Sequence, residues 1–174
     1  MKETNDIPTR SGETSEAKVP TLRMIAWEVT RRCNLNCVHC RAAAERGPYP
    51  GELSTEEALA LIDEIVSFSR PVVILTGGEP LLREDIYDLA AYGTRQGLRM
   101  VMAPNGTLLD GEKAARLKSS GIQRVSISLD GATAETHDRF RQVEGAFSGA
   151  LRGIEFLKEA GLEFQVNTTV TQKN

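Results

Sequence analysis

With 174 residues, 40% of them hydrophobic and 26% charged, the chain has the length of one ordinary domain and the composition of a soluble globular protein. Its formal net charge of -3 supplies no basic field for holding nucleic acid. No apolar run approaches the ~20 residues that span a bilayer, so neither nucleic acid nor a membrane is an expected partner.

The opening stretch, MKETNDIPTRSGETSEAK, is rich in Thr, Ser, Glu and Gly and lacks the apolar centre of a secretory signal. It is expected to form a disordered polar tail over 1–21, leaving 22–174 as the folded core, with the cytoplasm as the expected address. RMIAWEV, from Arg23 to Val29, is short, apolar and β-prone and reads as a first strand. A loop holding every cysteine follows at once. STEEALALIDEIVSFS then places Leu59, Ile62, Ile65, Val66 and Phe68 on one helical face, with Ser54 as N-cap and Glu57 completing a capping box. PVVILT is a continuous apolar run, expected of a strand covered on both faces.

The alternation repeats three more times. REDIYDLAAYGTRQG reads as an amphipathic helix closed by Gly97, DGEKAARLKSSG as one stopped by Gly121, and AFSGALRGIEFLKEAG as one ended by Gly161. LRMVMA, QRVSISL and EFQVNTTV supply the remaining strands. Such alternation implies βαβ crossovers and a parallel α/β sheet. Right-handed crossovers allow an open doubly wound sheet or a closed or partly closed barrel, and periodicity does not choose between them. Five βα units are too few for an eight-fold barrel. Ending on a strand leaves a bare edge, so the polypeptide is expected to continue past Asn174.

Cys33, Cys37 and Cys40 all fall within the eleven residues RRCNLNCVHCR. In a reducing compartment an odd, clustered set argues for metal or catalysis rather than for disulfides. Three thiolates can ligate three irons of a cubane cluster and leave the fourth iron without a protein ligand. Zinc would need a fourth ligand. His39 is the only nearby candidate, and its neighbour Cys40 is already a candidate ligand in the same short loop. His137, the other histidine, is far along the chain. A structural zinc and three incidental buried cysteines are the alternatives.

Ligands of parallel α/β folds bind at the C-terminal ends of the strands. The second strand ends in TGGEP, where Gly77 and Gly78 would let a ligand approach the backbone and Glu79 would offer a carboxylate to a cation; a tight turn with Pro80 starting a helix explains the same residues. The third ends in APNGT, where Asn105-Gly106 is also an ordinary turn signal. The fourth ends in SISLDG, with Ser128 and Asp130 alternating to one side and Gly131 turning the chain away. In HDRFR, Arg141 carries a planar fork suited to a carboxylate, although a solvated surface arginine fits the spacing too. In NTTVT, Asn167 and Thr169 share one face, next to Val170.

CNLNCVHC resembles the cluster-binding loop of the radical S-adenosylmethionine (SAM) enzymes, and the resemblance extends over roughly Arg23 to Thr171. It implies the N-terminal part of a partial (β/α)6 TIM-like barrel with about five βα units present. It also implies a [4Fe-4S] cluster held by Cys33, Cys37 and Cys40, whose open iron is chelated by the amino and carboxylate groups of SAM. Gly77, Gly78 and Glu79 match the motif that holds the SAM ammonium group. The resemblance further implies SAM-site roles for His39 in the loop, for Asn105, for Ser128 and Asp130 around methionine and ribose, and for Arg141 at the carboxylate. Thr169 and Asn167 come next to these, with Val170 against adenine. One electron from the cluster would then cleave SAM to methionine and a 5'-deoxyadenosyl radical, with a flavodoxin or ferredoxin as reductant.

The wider run AWEVTRRCNLNCVHCRAAAE, with GPYPGELSTEE after it, is similar to the group with a cysteine-rich C-terminal extension of the SPASM or twitch type, above all to its heme b-forming branch. That branch oxidatively decarboxylates two propionates of iron-coproporphyrin III. The substrate implied is therefore a tetrapyrrole, with a peptide or enzyme maturase or another tetrapyrrole-modifying enzyme as the alternative. An auxiliary [4Fe-4S] cluster would lie in the C-terminal region beyond this chain. From a different class, a non-catalytic iron–sulfur electron carrier is the rival.

Overall fold

The computed structural model describes residues 21–44, 46–47 and 49–174. Apart from Thr21, the expected polar tail lies outside the described residues. Five strands, β1 (Met24–Thr30), β2 (Val72–Gly77), β3 (Arg99–Met102), β4 (Val125–Ser128) and β5 (Phe164–Asn167), pair in parallel in the order β1-β2-β3-β4-β5. The helices are α1 (Thr55–Phe68), α2 (Ile86–Arg95), α3 (Gly111–Ser119), α4 (Ala134–Arg141) and α5 (Ala146–Glu159). A doubly wound sheet reverses its strand order at a switch point. Here the order never reverses, so right-handed crossovers carry α1, α2, α3 and α5 to the same face and leave the other face free to curl inward, while α4 packs under the cysteine loop. That is the beginning of a barrel.

Each helix forms where its ends are chemically marked. Ser54 caps α1 by accepting from the Glu57 N–H at 3.2 Å, and the Glu57 carboxylate accepts from the Ser54 N–H at 2.8 Å, the expected capping box. Helices α2, α3 and α5 end at Gly97, Gly121 and Gly161, each in the left-handed region. In all three the next N–H, from Leu98, Ile122 or Leu162, reaches back to Gly93, Leu117 or Leu157 at 3.0, 3.1 and 2.9 Å. These are Schellman closures, and the buried Leu98, Ile122 and Leu162 supply the apolar contact that accompanies them.

The helix-facing pleat carries the core. Val73, Leu75, Met100, Met102, Val125 and Ile127 are fully enclosed by Ile62, Ile65, Ile86, Leu117 and Leu157 among others. Each such side chain contributes roughly 1.5–3 kcal/mol of transfer free energy. The opposite pleat is not covered to the same degree: Val72 and Ile74 are half-buried, so PVVILT is not the doubly covered strand its run of apolar residues suggests. On α1 the buried residues are Ala58, Ile62 and Ile65, whereas Phe68, in the last position of the helix, is exposed. Among the described residues no helix is long and apolar enough to cross a membrane.

Candidate functional site

Strand register places Glu28 beside Thr76 and Ser128 beside Asn167, and Ala103 follows the Leu75–Met102 pair. All five point to the face away from the helices, at the C-terminal ends of their strands. There they form one wall of a cavity of about 480 Å³. Cys33, Cys37 and Cys40 line the same cavity from the loop that follows β1, together with His39, Gly77, Gly78, Asn105, Arg141 and Thr169. Residues spread over the whole sequence thus meet at the end of the sheet where parallel α/β folds bind ligands.

The cysteine loop is tied down at both ends. At its start, the Gly78 N–H donates to Thr30 O and the Glu79 N–H to Arg32 O, each at 2.7 Å. Glu52 accepts from Thr30 Oγ1 at 2.9 Å and from the Arg31 N–H at 2.7 Å. Asn105 Nδ2 donates to Asn34 Oδ1 at 2.8 Å, and Asn34 Nδ2 to Thr107 Oγ1 at 2.8 Å. The second half of the loop rests on α4. Its Asn36 and Val38 N–H groups donate to the Arg141 and Phe140 carbonyls at 3.2 and 3.0 Å, and the His39 ring stacks on Phe140 at 4.3 Å. Leu35 and Cys33 pack against Ala146 beneath it.

Among the described residues no three His, Cys, Asp or Glu side chains converge tightly enough to hold a single metal ion. The three cysteines line one cavity of about 480 Å³, a size that accommodates a polynuclear group. His39, the histidine of the loop, stacks its ring on Phe140. Two wall atoms, His39 Nδ1 and Arg141 Nε, are buried without a hydrogen-bond partner. The donor set therefore fits an iron–sulfur cluster bound through three thiolates. Burial pushes the Cys33 and Cys37 thiols above their ordinary range, and at Cys37 the Arg141 guanidinium opposes the rise. A metal that stabilises the thiolates reverses that balance.

Several expectations need correction. On the side where a Cβ would stand, Gly77 and Gly78 meet backbone, although both also line the cavity. A Cβ on Gly77 would meet Thr30 O at 2.2 Å, and one on Gly78 would meet Arg32 O at 2.2 Å. Glu79 does not present its carboxylate to the cavity. It is fully buried and accepts from the Asn105 N–H at 2.7 Å and the Leu81 N–H at 3.0 Å, so it braces the turn behind the wall. Asp130 is not in the lining either. It is buried, pairs with Arg141 Nη2 and accepts from the Thr169 N–H at 2.8 Å. Arg141 lines the cavity, with Nη1 donating to Cys37 Sγ and Nη2 paired with Asp130. Val170 is 84% exposed and outside the lining. Ser128, Asn105, Asn167, Thr169 and His39 fall where expected, at the wall.

The Glu79 environment makes stability depend on pH. Burial raises its pKa from the ordinary 4.5 to about 7, against the pull of the two N–H donors. Between those values the folded chain keeps a proton that the unfolded chain has released. The folded state is therefore stabilised fully below about pH 4.5 and loses about 3 kcal/mol as pH rises to about 7, at roughly 1.4 kcal/mol per pH unit. Urea unfolding of the metal-free chain at pH 5 and pH 7.5 is expected to show that fall, and Glu79→Gln, which cannot ionise, a smaller one. Equal falls in both proteins would remove Glu79 as the cause.

A profile of the radical SAM superfamily matches residues 27–172. The chain is 58% identical over 161 residues to an AdoMet-dependent heme synthase of Oleidesulfovibrio alaskensis, covering 92% of this chain and 42% of that protein. It is 43% identical to an Fe-coproporphyrin III synthase of Methanosarcina barkeri, covering 99% of this chain and 42% of that one. The chain thus spans less than half the length of these curated relatives. Among solved structures, Streptococcus suis SuiB bound to S-adenosylmethionine superposes with a TM-score of 0.72 at 15% identity, over 88% of this chain and 35% of that one. That likeness shows a shared fold.

Proposed function

The chain belongs to the radical SAM superfamily, and from that premise we propose that it is the cluster- and SAM-binding part of a heme-forming enzyme. The observation that carries the reading is the cavity of about 480 Å³ with three free thiols on one side and the strand ends on the other. Cys33, Cys37 and Cys40 hold three irons of a [4Fe-4S] cluster and leave the fourth to SAM. When bound, the cluster and SAM together supply the one-electron chemistry that yields a 5'-deoxyadenosyl radical.

The chain's own residues bind and orient. The Gly77–Gly78 backbone and the Asn105 and Ser128 side chains offer polar groups to the amino acid end of SAM. Asn167 and Thr169 border its nucleoside end, His39 closes the loop side, and Glu79 fixes the turn that carries the glycines. The substrate is iron-coproporphyrin III, each of whose two propionates would give up a hydrogen atom to the 5'-deoxyadenosyl radical, carbon dioxide, and one electron to an external acceptor to become a vinyl group of heme b; the similarity to AdoMet-dependent heme synthases supports this choice. A flavodoxin or ferredoxin serves as reductant. An auxiliary [4Fe-4S] cluster and much of the tetrapyrrole pocket belong to the additional length of the relatives.

Anaerobic reconstitution followed by EPR of the reduced protein tests the site. Addition of SAM is expected to change the signal; an unchanged signal would make the chain an electron carrier. In a chain of the relatives' full length, iron-coproporphyrin III, SAM and a low-potential reductant are expected to give heme b. Its failure to form, with SAM still cleaved, would shift the substrate to a peptide.

A further inference from the structure

Arg141 closes α4 and lies buried against the cysteine loop. Its Nη1 donates to Cys37 Sγ at 3.5 Å, and its Nη2 is paired with Asp130. Asp130 is fixed in turn. Its Oδ1 accepts from the Thr169 N–H at 2.8 Å, its own N–H donates to His137 Nδ1 at 3.1 Å, and its carbonyl accepts from Asn174 Nδ2 at 2.7 Å. Sulfur, guanidinium and carboxylate therefore follow one another in a single fixed order. Stability is a weak reason for such an arrangement, since a buried ion pair is often no better than apolar residues of the same volume.

We infer that Arg141, countered by Asp130, is a tuning residue that raises the reduction potential of the metal group held by the three cysteines, acting through Cys37. The inference rests on the cluster reading above. Net charge and hydrogen bonds to the sulfurs are levers that set the potential of an iron–sulfur group. A buried cation donating to a ligating sulfur stabilises the reduced state, which carries one more negative charge. Low local dielectric strengthens the effect. The Asp130 carboxylate behind the guanidinium limits it, so the two residues act in opposite directions on one quantity. A residue that merely props up the loop has no reason to do so.

The test is a potentiometric EPR titration of the reconstituted protein without SAM. Arg141→Met is expected to lower the midpoint by at least a tenfold change in the reduction equilibrium, 59 mV for a one-electron couple. Asp130→Asn is expected to raise it, and Arg141→Lys to fall between wild type and Arg141→Met. A midpoint unmoved in Arg141→Met, or moved the same way by Arg141→Met and Asp130→Asn, overturns the inference. An unmoved midpoint combined with weakened SAM binding would overturn it too and assign Arg141 to the SAM carboxylate.

Should the variants not load, the wild-type protein decides. With arginine 15N-labelled only in the guanidinium, its reduced cluster is expected to show a 15N coupling in pulsed EPR, one that is lost in Arg141→Met if that variant does load, and no coupling counts against the contact. If wild-type protein forms no SAM-responsive cluster, the cluster reading fails and this inference with it. A SAM-responsive cluster with unmoved midpoints sinks the inference alone.

Discussion

Replacing Cys33, Cys37 or Cys40 by alanine is expected to remove the SAM-responsive cluster, and to do so equally at all three positions. The equality is the informative part. The three side chains differ in burial: Cys33 is 8% exposed and packed against Leu35 and Ala146, Cys37 is half-buried, and Cys40 is exposed. If the cysteines served packing, truncation would matter in that order. Cys33→Ala would cost on the order of 1 kcal/mol for the lost sulfur, and Cys40→Ala would stay within about 0.5 kcal/mol of the parent. As ligands they are equivalent, because two thiolates do not hold a cubane that takes three or four. Iron and sulfide per chain, measured beside the thermal unfolding of the metal-free variants, separate the two cases. Iron retention that follows the burial order would return the cysteines to the core.

The fold was legible wherever a local signal coincided with a tertiary one. Gly97, Gly121 and Gly161 announce helix ends because a left-handed residue is needed there whatever the neighbours do, and all three are left-handed in the structure. The choice between a doubly wound sheet and a barrel was not legible, because strand order is a property of pairing and not of pattern. Helix α4 is silent in the sequence for a related reason. Its eight residues, AETHDRFR, bury His137, Phe140 and Arg141, so they carry almost no apolar periodicity. Yet Thr133 caps it, accepting from the Thr136 N–H at 3.3 Å, so its local signal lies in the cap and not in periodicity.

At the site, residue types were legible and directions were not. Cys33, Cys37 and Cys40 form a cluster in the sequence itself, and the structure only closes the loop around it. Asn34 is different. It pairs with Asn105 across 71 positions, and nothing in CNLNC distinguishes it from a solvated loop residue. Glu79 and Asp130 carry charge at strand ends, which is the pattern of residues that face a ligand. Both instead face inward, Glu79 to backbone donors and Asp130 to Arg141, since a carboxylate at a strand end can serve the wall as well as the guest.

Gly78→Ala is expected to be strongly damaging for a change of one methyl group. The added Cβ would lie 2.2 Å from Arg32 O and 2.6 Å from Arg31 O. Neither oxygen belongs to a flexible side chain, and Arg32 O is held where it is by the Glu79 N–H at 2.7 Å. Relief therefore requires the strand end and the loop to separate, which breaks that bond and strains its neighbour from the Gly78 N–H to Thr30 O. Overpacking of about 1–3 kcal/mol plus about 1 kcal/mol for each hydrogen bond lost gives a destabilisation of about 3 kcal/mol or more. For a domain of this size the melting temperature falls by roughly 10 °C. Cys33 follows Arg32 directly, whereas Cys37 and Cys40 belong to the half of the loop that rests on α4. Moving one end without the other spoils the spacing of the three sulfurs, so iron loading is expected to drop well below that of the parent even at temperatures where the chain stays folded. Gly47→Ala, with nothing within 4 Å of its added Cβ, supplies the control. A Gly78→Ala protein that melts and loads iron like the control would mean that the second glycine is there for a ligand after all.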